Sequence, residues 1–580
     1  MAALRASDHP FIKGLRSLSR RFDSTQIKPA VKPNIKLLEL FAWTLLAFLG
    51  AGSMSIFRAQ PLYNDSYQYL NVAENLTRDM GLVTSLVHFD TERSHRRIPA
   101  PLTTFPPGYP ALVAVTSALS GDLERMARVV SGVSYAGTAA LLAWALMLMN
   151  VRAFLRRVLL CLFITNAVAL GYATAVMTES LFMLLSTCAV VALMWSEKGQ
   201  APSRVLITRA VIAYTIAGLS CWVRYAGFFL IAGVVGYASL QWLRQRSRLR
   251  TILLFAALIP VASAGSIMLR NLFSVGTWRG GSEIPVHNPL RSVAAEYVRG
   301  HLHLFFGQHP HTIGGSEGLV LLAGLGIAAI LILSFKDSRP DTGGRWRAVW
   351  ENTDGAALAL VLCLLLYSAG IFYAGLSTII SFGTRMFLPM LPLYLLLIGI
   401  SVNWLISRRL TGAQGRWLKA GFLLVIIGYV GSNARELSRR PSPARHELLA
   451  MQYREPTAGG QPLREWVESN IPAGDVIMAA NGQATGYLLR RPTVSMVEAQ
   501  YSRVRWECDE VKKQIKTYGA RYLILYKPAS AVIEDPLMAE SEFVSTAVSQ
   551  KPPPCGFIVA AENSYVRILE IGGAPTTEQK

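Results

Sequence analysis

The stretch Tyr63-Asn64-Asp65-Ser66-Tyr67-Gln68-Tyr69 opens a polar, aromatic island directly behind the first long apolar run of the chain, residues 37 to 57. A helix needs roughly 20 apolar residues to cross a hydrocarbon core, so this run reads as a membrane span and the island as the first segment on its far side. Asp65 stands where a helix begins, and Tyr69, Ala73, Leu76 and Met80 follow at three- and four-residue spacing as one apolar stripe. The same loop closes at Thr104-Phe105-Pro106-Pro107-Gly108-Tyr109-Pro110, a rigid aromatic turn, and the apolar piece behind it is too short to span. A polar loop, residues 58–123, is thus framed by membrane.

Outward from this loop the apolar pattern recurs. Of 580 residues, 52% are hydrophobic and only 16% charged, the wrong balance for a soluble multidomain protein. Hydropathy predicts about eleven helices, near 37–57, 124–149, 158–174, 178–195, 207–221, 225–242, 251–269, 316–335, 356–376, 386–406 and 417–432. The 57 basic residues exceed the 36 acidic ones by 21, but they are spread between the apolar runs instead of forming one patch. That distribution argues for membrane topology and against nucleic acid. With the basic arm 1–36 in the cytoplasm, the basic residues near 152–157, 244–250, 336–347 and 408–419 fall there too, as the positive-inside rule requires. No small-residue cleavage site follows the first apolar run, so the arm is expected to remain attached. An odd number of crossings places the outer loop 58–123, the loop 270–315 and everything after residue 432 on the opposite, extracytoplasmic side.

The chain after residue 432 changes character. A Pro/Ser-rich linker leads into alternating helix-like and strand-like pieces, read as a small α/β domain within 433–580. Helices are expected at 462–470 and 504–518, and strands at 475–479, 493–497 and 522–526. Gly482-Gln-Ala-Thr-Gly486 lacks the spacing of a phosphate loop and reads as the start of a helix. Cys508 and Cys555 are the only cysteines of this part and are expected to pair if it lies outside the cytoplasm. Cys161, Cys188, Cys221 and Cys363 sit in apolar runs as small packing residues. The fold class is therefore an α-helical polytopic membrane protein with a small C-terminal α/β extracytoplasmic domain.

Several polar residues stand at the outer ends of the expected helices: Asp65, Glu179, Arg224 and Arg385. Asn, Asp and Ser are favoured helix caps, so one of Asn64, Asp65 and Ser66 is expected to cap its helix. Glu179 reads equally as a favourable charge at a helix N-terminus or as a second acidic group that orients an acceptor or binds a cation. Arginine in short outer turns runs against the positive-inside bias, although helix-end arginines also snorkel to the interface. His301, His303, His309 and His311 crowd one outer loop without cysteines or a tight carboxylate set, which favours a substrate-facing or merely interfacial cluster over a metal centre. His88, Asp90, Glu92 and His95 read the same way.

Taken in order, these features resemble the GT-C superfamily of membrane glycosyltransferases. They are the basic arm, the first span, the loop acid beside aromatics, the Pro-Pro-Gly-Tyr-Pro turn and Ala127-Arg128. Thr178-Glu179-Ser180, Val223-Arg224-Tyr225, Thr384-Arg385-Met386-Phe387-Leu388-Pro389 and an outer C-terminal domain continue the likeness. It extends over most of the chain and is greatest to the bacterial branch related to protein O-mannosyltransferases of glycosyltransferase family 39 and lipid A aminoarabinose transferases. The resemblance implies transfer of a sugar from a polyprenyl-phosphate donor to a lipid, glycan or protein acceptor on the outer face, served by an acidic residue of the first loop. Asp65 fits that role as a base for the acceptor hydroxyl, with Glu179 as a second catalytic acid. A departing lipid phosphate needs cations, and arginine offers a planar fork of donors, so Arg224 and Arg385 are expected to hold it. Tyr63, Tyr67, Tyr109 and Tyr225 are expected to line the substrate site. The chain carries Asn64-Asp65 where the commoner pattern has paired acids, which leaves the second acidic partner open. No definite cofactor is assigned, and a divalent cation near Asp65 and Glu179 remains an option.

A transporter or flippase of lipid-linked sugars is the competing class. It predicts ionisable residues and broken helices near the membrane midplane, whereas these four residues fall at helix ends. Asn64-Asp-Ser is a glycosylation sequon whose modification would obstruct the proposed site, which points to the bacterial inner membrane.

Overall fold

The computed structural model describes residues 33–58, 60–88, 94–198, 202–280, 287–306, 354–377, 383–407, 413–438, 445–496, 506–530 and 541–571. The expected span at 316–335, together with His309, His311, Asp90 and Glu92, lies outside them. The chain divides into two compact units, Met1–Ala42 and Trp43–Lys580. Helix α1 (Pro33–Arg58) crosses that boundary, with proline at its first position, where no backbone N–H is missed.

Behind α1, the first loop contains α2 (Asn64–Thr77), the short strands β1 (Val83–Thr84), β2 (Leu86–His88) and β3 (Ala100–Pro101), and α3 (Gly108–Ser117). The bundle follows as α4 (Leu123–Leu148), α5 (Ala153–Ile164), α6 (Ala167–Thr174), α7 (Glu179–Ser196), α8 (Ser203–Val223), α9 (Gly227–Gln245), α10 (Arg248–Ala256) and α11 (Leu258–Val275). Next come α12 (Leu290–Phe306), α13 (Gly355–Ser377), α14 (Leu391–Ser407) and α15 (Ala413–Ser438). Among the described residues seven helices are long and apolar enough to cross a membrane, or eight if the bent pair α5 and α6 counts as one span. This is a multi-pass membrane protein. Helix α7 is apolar nearly all round and buried nearly all round, the signature of a bundle centre.

The single helix expected at 158–174 is broken, with α5 and α6 bent by 54°. The break is specified by Asn166, whose Oδ1 accepts from Ala169 N at 2.8 Å and so caps α6. Its Nδ2 donates to Leu304 O at 2.7 Å and to the Tyr429 hydroxyl at 2.8 Å, so the freed polar groups find partners inside the bundle. Cys221 and Cys363 are buried as expected of packing residues, whereas Cys188 is half-buried and Cys161 is exposed on its helix.

The C-terminal part contains α16 (Arg445–Arg454), α17 (Leu463–Asn470), β4 (Ile477–Ala479), α18 (Gly482–Leu489), β5 (Thr493–Ser495), α19 (Cys508–Tyr518) and β6 (Tyr522–Tyr526). It ends with α20 (Glu542–Ser549) and the hairpin β7 (Phe557–Glu562) and β8 (Val566–Ile571). The expected helices and strands are present, and β6 begins and ends where the apolar run Tyr522–Tyr526 does. Cys508 and Cys555 are joined in a disulfide with Cα atoms 5.6 Å apart, linking α19 to the approach of β7. Met478, Leu523, Leu525, Val511, Ile515 and Leu569 fill the core between sheet and helices.

Among the described residues the sheet has six strands in the order β2-β5-β4-β6-β8-β7, and its edge strand β2 comes from the first loop. It pairs in parallel with β5, Leu86 opposite Thr493 and His88 opposite Ser495. Helix α18 lies so close over this join that a Cβ at Gly486 would overlap the side chains of Leu86 and Thr493. A sheet cannot be shared across a bilayer, so the loop and the C-terminal domain lie on one side of it.

Candidate active site

Asp65 lies in the first turn of α2, but it does not cap the helix. The cap residue is Tyr63, and its N–H donates to Ser66 Oγ at 3.0 Å, so Ser66 serves the helix end. The Asp65 carboxylate is left to point elsewhere, and its Oδ2 accepts from Arg385 Nη1 at 2.7 Å across 320 residues of chain. Arg385 belongs to a 3-10 turn, Thr384–Met386, that leads into α14. The turn is anchored on both sides: Thr384 Oγ1 is hydrogen-bonded to His303 Nδ1, and the buried Phe387 ring lies 4.2 Å from His301 and 5.1 Å from Tyr297. Asp65 and Arg385 keep 22% and 36% of their side-chain surfaces accessible, so the pair faces open space.

Glu179 is placed differently. It opens α7, is fully buried, and pairs with Arg224, which follows directly after the last residue of α8. Arg224 also donates to Thr178 Oγ1 at 3.2 Å and approaches Met386 Sδ at 3.5 Å, so the second ion pair rests against the turn that carries Arg385. The field of Glu179 reaches Arg385 as well as Arg224. Two carboxylates and two guanidinium groups from four separate segments therefore form one charge-balanced cluster. A buried carboxylate of this kind depends on its partner, since removing either member leaves a desolvated charge behind.

The tyrosines divide into packing and facing groups. Tyr67 and Tyr109 are fully buried; Tyr67 packs on Tyr487 with ring centroids 5.2 Å apart, and Tyr109 points its hydroxyl at Ala127 O. Their placement is that of residues that build the site's walls from behind. Tyr225 donates to Thr103 O at 2.7 Å and accepts from Asn271 Nδ2 at 2.9 Å, which ties the turn behind Arg224 to the first loop. A Cβ at Gly108 would collide with the Trp222 carbonyl, so the Pro-Pro-Gly turn docks on the end of α8 only because glycine stands there. Tyr63 is 39% exposed beside Asp65 and remains open to a ligand. Tyr69, absent from the expected site, is buried, and that burial with the Asp65 and Glu179 carboxylates holds its pKa well above the ordinary tyrosine value. It stays protonated and can donate within the cluster. The stripe expected on α2 is incomplete, because the helix ends at Thr77, Met80 is exposed, and burial extends to Ser66, Gln68, Val72 and Asn75. This helix is covered on two sides, by the bundle and by the C-terminal domain.

Among the described residues no group of three or more His, Cys, Asp or Glu side chains could hold a metal ion. Asp65 and Glu179 each already face an arginine, so the arrangement as it stands does not suit a divalent cation. His301 is buried with Nδ1 on Tyr297 O and Nε2 on the Tyr394 hydroxyl, both at 2.8 Å, and burial lowers its pKa to about 4. It is a neutral packing residue. His95 is hydrogen-bonded to Ser274 O at 2.7 Å.

The chain superposes on ArnT from Cupriavidus metallidurans bound to undecaprenyl phosphate, with a TM-score of 0.52 and 13% identity over 92% of this chain and 97% of that one. The fold is that of the GT-C glycosyltransferases. The GT-C likeness extends to the apo state of the same ArnT, with a TM-score of 0.52 and 12% identity. It also extends to the arabinofuranosyltransferase AftD from Mycobacteria, with a TM-score of 0.50 and 13% identity over 92% of this chain and 41% of that one. No family model and no curated protein matches the sequence.

Proposed function

We propose that this chain is a membrane glycosyltransferase that moves a sugar from a polyprenyl-phosphate donor to a hydroxyl of a lipid, glycan or protein acceptor. The reaction takes place at the extracytoplasmic face of a bacterial inner membrane. The observation that carries this reading is the accessible Asp65–Arg385 pair, set against the buried Glu179–Arg224 pair inside a GT-C fold. Proton acceptor and phosphate-binding cation meet at one place, and the similar ArnT binds undecaprenyl phosphate.

In the proposed step the acceptor oxygen attacks the anomeric carbon, the bond from that carbon to the phosphate oxygen breaks, and configuration inverts. The acceptor proton passes to the Asp65 carboxylate. The lipid phosphate departs with its charge held by the Arg385 fork, and Arg224 supports it from behind while Glu179 fixes Arg224 in place. Tyr63 borders the opening of the site.

Purified protein in lipid vesicles, given a polyprenyl-phosphate donor with a radiolabelled sugar and an acceptor extract, tests the reading. Label should leave the lipid fraction and enter the acceptor fraction. Label that crosses the bilayer still attached to its lipid would instead identify a flippase.

A further inference from the structure

Helix α2 is gripped on two opposite sides. Successive residues of an α-helix turn by about 100°, so Asp65 and Tyr67, two apart, point away from each other. Asp65 reaches down to Arg385 in the bundle, whereas Tyr67 packs, with ring planes tilted by 43°, on Tyr487 of α18 in the C-terminal domain. The next residue repeats the link, because Gln68 Nε2 donates to Leu86 O on β2, the strand that completes the C-terminal sheet. Tyr487 is itself tethered to the bundle. Its hydroxyl donates to Glu124 Oε2 at 3.3 Å, Glu124 pairs with Arg128 at 2.9 Å, and Arg128 donates to Gln60 O at 3.0 Å and Thr174 O at 2.7 Å.

From this geometry we propose that Tyr487 is a positioning residue for sugar transfer, and that the C-terminal domain, through the Tyr487–Tyr67 ring contact, sets where Asp65 stands. The proposal rests on the reading of Asp65 as the base. A 14-residue helix is marginal by itself in water, so its place is decided by what packs on it. Without the Tyr487 ring that side of the grip keeps only the Gln68–Leu86 bond, and the position of the carboxylate is set mainly by its pair with Arg385. Loss of alignment by about 1 Å costs on the order of a hundredfold in rate.

The test uses the full chain with its disulfide intact. Tyr487→Ala should lower kcat about ten- to a hundredfold, with donor KM little changed, since the phosphate site is untouched. Tyr487→Phe keeps the ring and should restore most of kcat. In the Asp65→Asn background, Tyr487→Ala should cost less than about twofold more, because its effect passes through that carboxylate. A purely structural role would instead multiply the two losses. Should Tyr487→Ala not fold, Gln68→Leu removes the neighbouring bridge to β2 and should give the same fall in kcat. Wild-type kcat in folded Tyr487→Ala, a Phe variant as impaired as Ala, or fully multiplicative losses would each overturn the proposal. Wild-type turnover in Asp65→Asn alone would remove the base reading instead.

Discussion

Two carboxylates stand in the site, and burial separates what each contributes. Asp65 is partly accessible and, since Tyr63 and Ser66 serve the helix end, its carboxylate carries no capping duty. Asp65→Asn should therefore purify and melt like the wild type while turnover falls by at least about a hundredfold, the usual scale of general-base assistance. Near-normal turnover would send the search to Glu179; Glu74, the next acid along α2, is already paired with Arg78 on the outer surface. Glu179 has no accessible side-chain surface and neutralises Arg224. Glu179→Gln should accordingly lower stability by about 3 to 5 kcal/mol, the scale for stranding a buried charge. An unchanged melting temperature in detergent would show that Arg224 does not depend on it. Arg385→Lys keeps the charge and loses the planar fork. It should raise donor KM in a folded, membrane-inserted protein, and unchanged donor kinetics would make Arg385 an interfacial anchor.

Elements were legible where a local pattern was enough to specify them and illegible where a distant partner was required. The apolar run Tyr522–Tyr526 is a central strand flanked on both sides, and the periodicity of 504–518 corresponds to α19. Strand β2 is only three residues long and has meaning only beside Thr493–Ser495, so nothing near Leu86 announced it. The hairpin of β7 and β8 did carry a signal, two short apolar runs either side of Asn563-Ser564, that sequence reasoning passed over. Glu562 ends β7 and binds Lys551 at 2.6 Å and Arg567 at 2.8 Å. Burial would raise its pKa, but these hydrogen bonds more than offset that and lower it from 4.5 to about 2. A depressed carboxylate contributes stability above its unfolded value and loses it as pH falls through the folded one. The C-terminal domain should weaken between about pH 4.5 and 2, whereas Glu562→Gln should flatten that slope in pH-dependent melting. Equal slopes would detach Glu562 from acid unfolding.

At the scale of the whole molecule, the shared sheet bears on the parity of the membrane crossings. A loop behind the first span and a domain behind the last can join only if the number of crossings is odd, which agrees with about eleven. A reporter active only outside the cytoplasm should be active when fused to the C-terminus; activity of a cytoplasmic reporter there would invert every proposed site. The sequence by itself determined the class of protein, most of the spans, the α/β tail and the polar residues worth watching, because hydropathy and periodicity are local and survive in one dimension. It also singled out Asp65, Glu179, Arg224 and Arg385 one at a time. Only the tertiary structure decided that Asp65 meets Arg385 and Glu179 meets Arg224, that Tyr67 and Tyr109 face inward, and that the first loop supplies a strand to the distant domain. Ion pairs and strand pairs spanning hundreds of residues leave no periodicity behind; they are fixed by packing, which brings the first loop and the C-terminal domain to one side of the membrane.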